Sequence, residues 1–171
     1  MLDACDLLPS LSFGTIRANR LRERTRPWLI QAADFDGDGR PDVAFVDAEG
    51  GFDRPARTLI VLAGRDGGAG SELRFEPLAR LELDFLPTQM LAADLDGDGL
   101  SDLAFLAAAR VRVLLNVGGG QLAEGGEFRL DPGRPTTPLI ASDLDLDGDH
   151  DLLTASRSTG RVLVLRLAVR R

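Results

Sequence analysis

Three stretches decide the fold: ADFDGDGRPDVAF at residues 33–45, ADLDGDGLSDLAF at residues 93–105 and SDLDLDGDHDLLT at residues 142–154. Counted from its first aspartate, each stretch has aspartate at positions 1, 3, 5 and 9. Each also has glycine at position 6, which in the third stretch is Gly148. An apolar run begins directly after the aspartate at position 9 of each stretch. Recurrence of one pattern along a chain is typical of a repeat architecture, so the three stretches predict three repeats.

The similarity extends to both sides of the aspartate stretches. A proline lies seven residues before the first aspartate in two repeats, at Pro27 and Pro87, and eight before it in the third, at Pro135. Two short runs follow the position 9 aspartate of each repeat, at 43–46 and 58–63, at 103–107 and 111–115, and at 152–155 and 161–167. Short apolar or alternating runs between Gly, Asp and Pro clusters indicate β-strands and are too short for helices. We therefore expect about four strands per repeat.

The expected fold is all-β, with β-propeller-type blades in about three four-stranded antiparallel units that form a partial propeller or arc. We interpret residues 1–171 as a single repeat domain with approximate repeats 13–74, 75–127 and 128–171. Propellers typically close with four to eight blades, so three are too few. The alternatives are the remainder of a longer chain, a homo-oligomer that completes the propeller, or an open arc with exposed strand edges.

Composition narrows the classes of function. No stretch approaches the ~20 apolar residues that span a bilayer, so no membrane span is expected, and the start of the chain lacks the pattern of a signal peptide. The net charge is −7, yet the three nine-residue windows hold 13 aspartates, which leaves 14 acidic against 20 basic residues elsewhere. With one Cys, one His and no Lys, the inventory for acid–base or nucleophilic catalysis is thin, and we expect no enzyme.

The aspartate pattern predicts calcium sites. Calcium takes six to eight oxygen ligands at roughly 2.3–2.6 Å, and alternating aspartates on a tight turn place several carboxylates on its concave side. Glycine at position 6 permits the sharp bend, which turns the carbonyl of position 7 inward, and the aspartate at position 9 closes the shell with both oxygens. An EF-hand would need a glutamate at position 12, where this chain has Phe45, Phe105 and Thr154.

About three Ca²⁺ sites are thus expected. The side-chain ligands would be Asp34, Asp36, Asp38, Asp42, Asp94, Asp96, Asp98, Asp102, Asp143, Asp145, Asp147 and Asp151, and the carbonyl ligands would come from Arg40, Leu100 and Asp149.

These residues resemble the FG-GAP/VCBS repeat family, whose better-known members form the β-propeller of integrin α subunits. The resemblance is most specific at 33–45 and 93–105, and Phe13-Gly14 matches the aromatic-glycine element. It implies an extracellular or cell-surface recognition or adhesion module whose calcium is structural, with an unknown protein or glycan as ligand. The alternatives are a non-catalytic accessory domain of a larger secreted enzyme and a structural self-assembling unit.

Single residues carry further expectations. Trp28 is expected in core or inter-blade packing, as are Phe45 and Phe105 at equivalent positions. His150 is expected to be exposed to solvent, the alternative being that it tunes the third loop near pH 6–7. The arginines at 17–26 lack interleaved aromatics, so nucleic-acid binding is not expected.

Overall fold

The computed structural model describes residues 26–47, 57–65, 74–130, 138–156 and 159–166. Within these ranges the chain forms eleven strands and no helix, and so no helix that could cross a membrane. The strands are β1 Pro27–Ala33, β2 Asp42–Asp47, β3 Thr58–Arg65, β4 Arg74–Glu82, β5 Gln89–Ala93, β6 Asp102–Ala107, β7 Arg110–Asn116, β8 Leu122–Arg129, β9 Ile140–Ser142, β10 Asp151–Ser156 and β11 Arg161–Leu165.

Consecutive strands pair antiparallel to form three sheets. Sheet 1 has the order β1-β2-β3-β4, sheet 2 the order β5-β6-β7-β8, and sheet 3, within the described residues, the order β9-β10-β11. Short four-stranded antiparallel units of this kind are the blades of a propeller. The all-β fold of propeller-type blades is confirmed; two of the three units have four strands, and three strands of the last unit are described.

One register is common to the three sheets and defines equivalent positions. Val43 pairs with Leu62 across β2 and β3, and the corresponding pairs are Leu103 with Leu114 and Leu152 with Leu165. The strand that follows each aspartate loop pairs on one side with the strand before the loop and on the other side with the next strand in the sequence. Each loop therefore joins two adjacent strands at the same edge of its sheet.

The core lies between the sheets. We call the face of a sheet that looks toward the next sheet in the chain its forward face, and the opposite face its rear face. Phe35, Ala44, Val46, Leu59 and Val61 on the forward face of sheet 1 form one buried cluster with Met90, Leu103, Phe105 and Leu114 on the rear face of sheet 2. The forward face of sheet 2 repeats this packing against sheet 3, with Leu95, Ala104, Leu106, Val111 and Val113 against Leu139 and Leu152.

The aromatic expectations divide. Phe45 and Phe105 are buried, as expected for core positions. Trp28 is more than half exposed, so its expected place in the core is wrong. The cause is local: the pairing of β1 with β2 is irregular between Pro27 and Leu29, and Trp28 lies at that irregularity.

The sheets and the sequence repeats start at different points. Repeat 75–127 begins on β4, which belongs to sheet 1, because the repeats were counted from an aromatic position and the sheets begin at the strand before the loop. Phe13, Pro135 and the glycine-rich segment 67–70 lie outside the described residues. The repeat limits and the single-domain interpretation stay predictions.

Candidate metal centres

The aspartate loops, which we call loop 1 (34–42), loop 2 (94–102) and loop 3 (143–151), follow β1, β5 and β9. Their tight path depends on left-handed backbone at two positions: Gly37 has φ 81° and Gly39 φ 80°, and Gly97 and Gly99 repeat this at 74° and 88°. In loop 3 the first of these positions is Leu146, which takes φ 62° although a side chain disfavours that conformation. Loop 3 thus keeps the loop geometry despite the lost glycine.

Aspartate side chains hold each loop together. The carboxylate of Asp34 accepts the N–H of Gly37 at 2.8 Å and that of Gly39 at 2.7 Å. Asp94 makes the same two bonds to Gly97 and Gly99, and Asp143 makes them to Leu146 and Gly148. Such side-chain to backbone bonds are typical of Asp in turns. The position 1 carboxylate is therefore oriented by its own loop.

The structure brings three carboxylates of each loop within ligand distance of one another. Atoms of Asp34, Asp36 and Asp42 all lie within 4.8 Å, as do atoms of Asp94, Asp96 and Asp102, and of Asp143, Asp145 and Asp147. The remaining expected side-chain ligands, Asp38, Asp98 and Asp151, lie outside these groups. Asp38 and Asp98 instead accept the N–H of position 7, that of Arg40 at 2.9 Å and that of Leu100 at 2.8 Å, while in loop 3 Asp147 accepts the N–H of Asp149.

In loops 1 and 2 the position 9 aspartate is buried and links the loop to the sheet by hydrogen bonds. Asp42 accepts the N–H of Phe35 with one oxygen and the N–H of Gly64 on β3 with the other, both at 2.8 Å. Asp102 repeats the arrangement with Leu95 and Asn116, at 2.8 and 2.7 Å. A carboxylate oxygen has two lone pairs, so these bonds leave capacity for a cation. Burial raises the pKa of Asp102 from 3.8 to about 6 in spite of the two N–H donors.

An arginine that lies outside the aspartate windows compensates part of the negative charge of loop 1. The Arg65 guanidinium, at the end of β3, forms ion pairs with Asp36 at 2.8 Å and with Asp38 at 2.9 Å. The hydrogen bond from Arg65 holds the pKa of Asp36 below its ordinary value. Sequence reasoning missed this residue because the contact spans more than twenty positions, and only the pairing of β2 with β3 would have revealed it.

Loop 2 has a different electrostatic environment. Gly64 and Asn116 donate to equivalent aspartates, so the counterpart of Arg65 in sheet 2 is the exposed Val117. None of the four loop 2 aspartates has an arginine ion-pair partner within the described ranges. Burial, followed by the negative charge of Asp98, raises the pKa of Asp96. In loop 3, Arg166 pairs with Asp145 at 2.8 Å, while burial and the charge of Asp147 raise the pKa of Asp149.

The loops lie side by side and are tied to one another. Asn116 Nδ2 donates to the carbonyl of Phe35 in loop 1 at 2.8 Å, and the N–H of His150 in loop 3 donates to the carbonyl of Asp94 at 2.9 Å. His150 Nδ1 lies 3.1 Å from the same carbonyl oxygen. His150 is half-buried between two loops, so the expectation of a solvent-exposed ring is wrong.

The chemistry of the donor set fits a hard divalent cation. Each group offers carboxylate oxygens only, as calcium prefers, with no sulfur or imidazole ligand within reach among the described residues. In loops 1 and 2, the hydrogen bonds described above orient two of the three carboxylates, those at positions 1 and 9. Magnesium fits less well because it demands a small, near-ideal octahedron and gives up water reluctantly.

Comparisons with known proteins agree with the fold and the repeat. Residues 94–154, which include loops 2 and 3, match the FG-GAP-like repeat family. No curated protein matches the sequence. Two similar solved structures are crystal structures of BBS1N in complex with ARL6DN, one soaked with mercury and one with lead. The first has a TM-score of 0.54 and 18% identity over 82% of this chain, and the second 0.50 and 17% over 80%.

At these identities the similarity concerns the fold alone, and this chain spans only 36% and 39% of the length of those two chains. The family match covers two of the three aspartate loops and both strands that follow loop 2. The sequence pattern predicts all of these. The resemblance is thereby confirmed: residues 94–154 of this chain match the FG-GAP-like repeat family.

Proposed function

We propose that this chain is a calcium-binding FG-GAP/VCBS-type module in which structural Ca²⁺ in the aspartate loops fixes the edges of the blades. The observation that carries the proposal is the threefold recurrence of carboxylates within 4.8 Å of one another on loops that bind their own backbone. Like charges held this close destabilise a fold unless a cation compensates them. A cation bound to one loop also stiffens its neighbour through the Phe35 and Asp94 carbonyl contacts.

The loops are expected to differ in affinity. Arg65 already compensates two loop 1 aspartates, and Arg166 compensates one in loop 3, so calcium must compete with a guanidinium at both. Loop 2 has no such competitor among the described residues and is the strongest candidate. About three equivalents of calcium are expected in total, with loop 2 filling first.

The proposed role is recognition or adhesion outside the cell, where calcium is abundant, with an unidentified protein or glycan as partner. A catalytic role is not proposed, because the sequence has no Lys and its single His is engaged with the Asp94 carbonyl. An accessory domain of a larger secreted enzyme would use the same loops in the same structural way. The recognition role and the accessory-domain role differ in whether the full-length protein has a catalytic domain next to this module.

Calorimetric titration of chelator-stripped protein with CaCl₂ tests the proposal, with the melting temperature followed in parallel. Ligand that binds only the folded state raises stability by mass action, so binding must be accompanied by a rise in melting temperature. Asp96→Asn should remove the first-filling site, whereas Asp84→Asn, an exposed aspartate outside the loops, should leave the isotherm unchanged. No heat and no change in melting would show that the aspartates serve only as turn residues.

A further inference from the structure

A continuous path of buried hydrogen bonds joins loop 1 to loop 2. The N–H of Phe35 donates to Asp42 Oδ2 at 2.8 Å, and the carbonyl of Phe35 accepts a hydrogen bond from Asn116 Nδ2, also at 2.8 Å. The N–H of Asn116 donates to Asp102 Oδ1 at 2.7 Å. The position 9 carboxylates of the two loops are therefore connected through only two residues, Phe35 and Asn116.

The path is closed to solvent along its whole length. Its four residues are each at most 1% exposed, and the carboxylate at either end belongs to the group of three carboxylates of its own loop. Buried hydrogen bonds in series polarise one another, and water does not compete for them. A change in the position of one carboxylate can therefore reach the other.

The two loops also touch directly. An added Cβ on Gly37 would lie 3.5 Å from Leu100 Cδ2, so position 4 of loop 1 lies against position 7 of loop 2. The carbonyl of Leu100 is an expected calcium ligand, and its N–H already donates to Asp98 at 2.8 Å. Closure of loop 2 around a cation thus orders a surface against which loop 1 packs.

We propose that calcium binding at loops 1 and 2 is positively cooperative and that Asn116 is the positioning residue that couples the two sites. The inference rests on the proposed function and adds the regulation of those sites. Calcium held by Asp102 fixes Asn116, which in turn fixes the peptide of Phe35. The N–H of that residue orients Asp42, so the second cation meets a loop whose ordering cost has already been met.

Coupling of this kind is reciprocal, so either cation raises the affinity of the other loop by the same factor. Direct electrostatics acts in the opposite direction, because two divalent cations on neighbouring loops repel each other. Salt screens that repulsion at the exposed parts of the loops, whereas it does not reach a buried hydrogen bond. The cooperativity is therefore expected to persist when the salt concentration is raised.

Calorimetric titration of the whole chain with CaCl₂ measures the coupling. Asp145→Asn is present in every protein and silences loop 3, so that loops 1 and 2 remain. Addition of Asp96→Asn leaves loop 1 alone, and addition of Asp36→Asn instead leaves loop 2 alone. The coupling factor is the product of the two stepwise association constants of the two-site protein, divided by the product of the two single-site constants. It is expected to be about fivefold or more, at low and at raised NaCl concentration.

Asn116→Ala, introduced into each of these three proteins, should bring the coupling factor close to unity. Gln31→Ala is the matched control, because Gln31 Nε2 donates to the carbonyl of Met90 at 2.9 Å and so ties sheet 1 to sheet 2 by the same kind of bond, away from the loops. It should lower the free energy of unfolding and leave the coupling factor unchanged. A merely structural role of Asn116 would make the two variants behave alike.

Nuclear magnetic resonance gives a second reading that needs no change at Asn116. In the protein that keeps only loop 2, calcium should shift the backbone amide resonance of Phe35 in the empty loop 1. It should leave unchanged the amide of Leu83, which donates to the carbonyl of Arg57 at the opposite end of sheet 1.

The outcomes separate this inference from the calcium proposal itself. Single sites that bind calcium with a coupling factor of unity or below would overturn the inference and leave the calcium sites standing. Coupling that survives Asn116→Ala, or a Phe35 amide that does not respond to calcium at loop 2, would overturn the role of Asn116. Single-site proteins that bind no calcium would overturn both proposals.

Discussion

Arg65 makes loop 1 electrostatically different from loop 2, although the two thirteen-residue stretches that contain them are identical at nine positions and exchange one apolar residue for another at two more. Its guanidinium reaches Asp36 and Asp38 from the end of β3, where sheet 2 has Val117. The guanidinium of Arg65 supplies part of the positive charge that a bound metal ion would supply to these carboxylates. Identity of the motif therefore does not imply equal affinity for calcium.

Arg65→Met is expected to strengthen calcium binding at loop 1 several-fold while lowering the stability of the calcium-free protein. The substitution keeps a long apolar stem and removes the charge that competes for the Asp36 and Asp38 oxygens. Calorimetry would show a tighter site, and thermal melting in chelator would show a lower midpoint. Arg80→Met, which removes an exposed arginine from the neighbouring strand β4, is the matched control. A weakened calcium site in Arg65→Met would instead make Arg65 a support of the site.

Asp102 predicts a pH dependence of the calcium-free protein. Its pKa is raised in the folded state to about 6 from 3.8, so between these values the folded protein holds a proton that the unfolded chain has released. More protons bound to the folded state means that stability falls as pH rises through this window and is retained below it. A shift of this size corresponds to about 3 kcal/mol between pH 4 and pH 7.

Urea unfolding in chelator, repeated from pH 4 to pH 7 for wild type and Asp102→Asn, measures that dependence. Wild type should lose stability relative to the variant as pH rises, because only wild type must ionise a buried carboxyl. Asp84→Asn, at an exposed site, should follow the wild-type curve in parallel. Parallel curves for wild type and Asp102→Asn would contradict the assignment to Asp102.

At the scale of elements, hydrogen bonds between neighbouring units connect the three loops. Asn116 is buried at the end of β7 and donates both to Phe35 of loop 1 and to the carbonyl of Ser101, the latter at 3.2 Å. It thus joins sheet 2, its own loop and the loop of the preceding sheet. His150 joins loop 3 to loop 2 by a contact of another kind.

Asn116→Ala is expected to destabilise the protein by about 1–3 kcal/mol, because the buried Phe35 carbonyl loses its side-chain donor. The loss should persist at saturating calcium, since the bond concerns the backbone and not the carboxylates. Chemical denaturation with and without calcium measures both values. Gln121→Ala, on an exposed turn, is the control. A destabilisation that calcium abolishes would mean that Asn116 acts through the metal site.

The sequence predicted the strands well and the contacts between loops poorly. Short apolar runs bounded by Asp, Gly and Pro gave β2, β3, β6, β7, β10 and β11 within one or two residues, because local spacing determines a strand that follows a tight turn. The grouping of three carboxylates per loop is equally local. Arg65, His150 and Trp28 differ from expectation because their environments depend on strand pairing, on a neighbouring loop and on a strand irregularity, none of which local spacing encodes.

At the scale of the whole molecule, equivalent residues have unequal environments because the next sheet covers the forward faces of sheets 1 and 2, whereas no described strand covers that of sheet 3. Val61 and Val113 lie in the two clusters between sheets, and Val164 occupies the same register on the forward face of sheet 3, where it is about half exposed. In repeat proteins stability is approximately the sum of unit and nearest-neighbour terms. A residue on a terminal face therefore contributes only when a further neighbour is present.

Replacing these valines one at a time by alanine separates internal from terminal faces. In dilute protein Val61→Ala and Val113→Ala should each destabilise by about 1.5–3 kcal/mol, because each removes buried methyl groups and leaves a cavity. Val164→Ala should change stability by less than about 0.5 kcal/mol under the same conditions, as surface substitutions do. The midpoint of urea unfolding, at an unchanged m-value, gives the change in the free energy of unfolding for each of the three variants. An equal loss for all three variants in dilute protein would mean that the forward face of sheet 3 is already packed within the single chain.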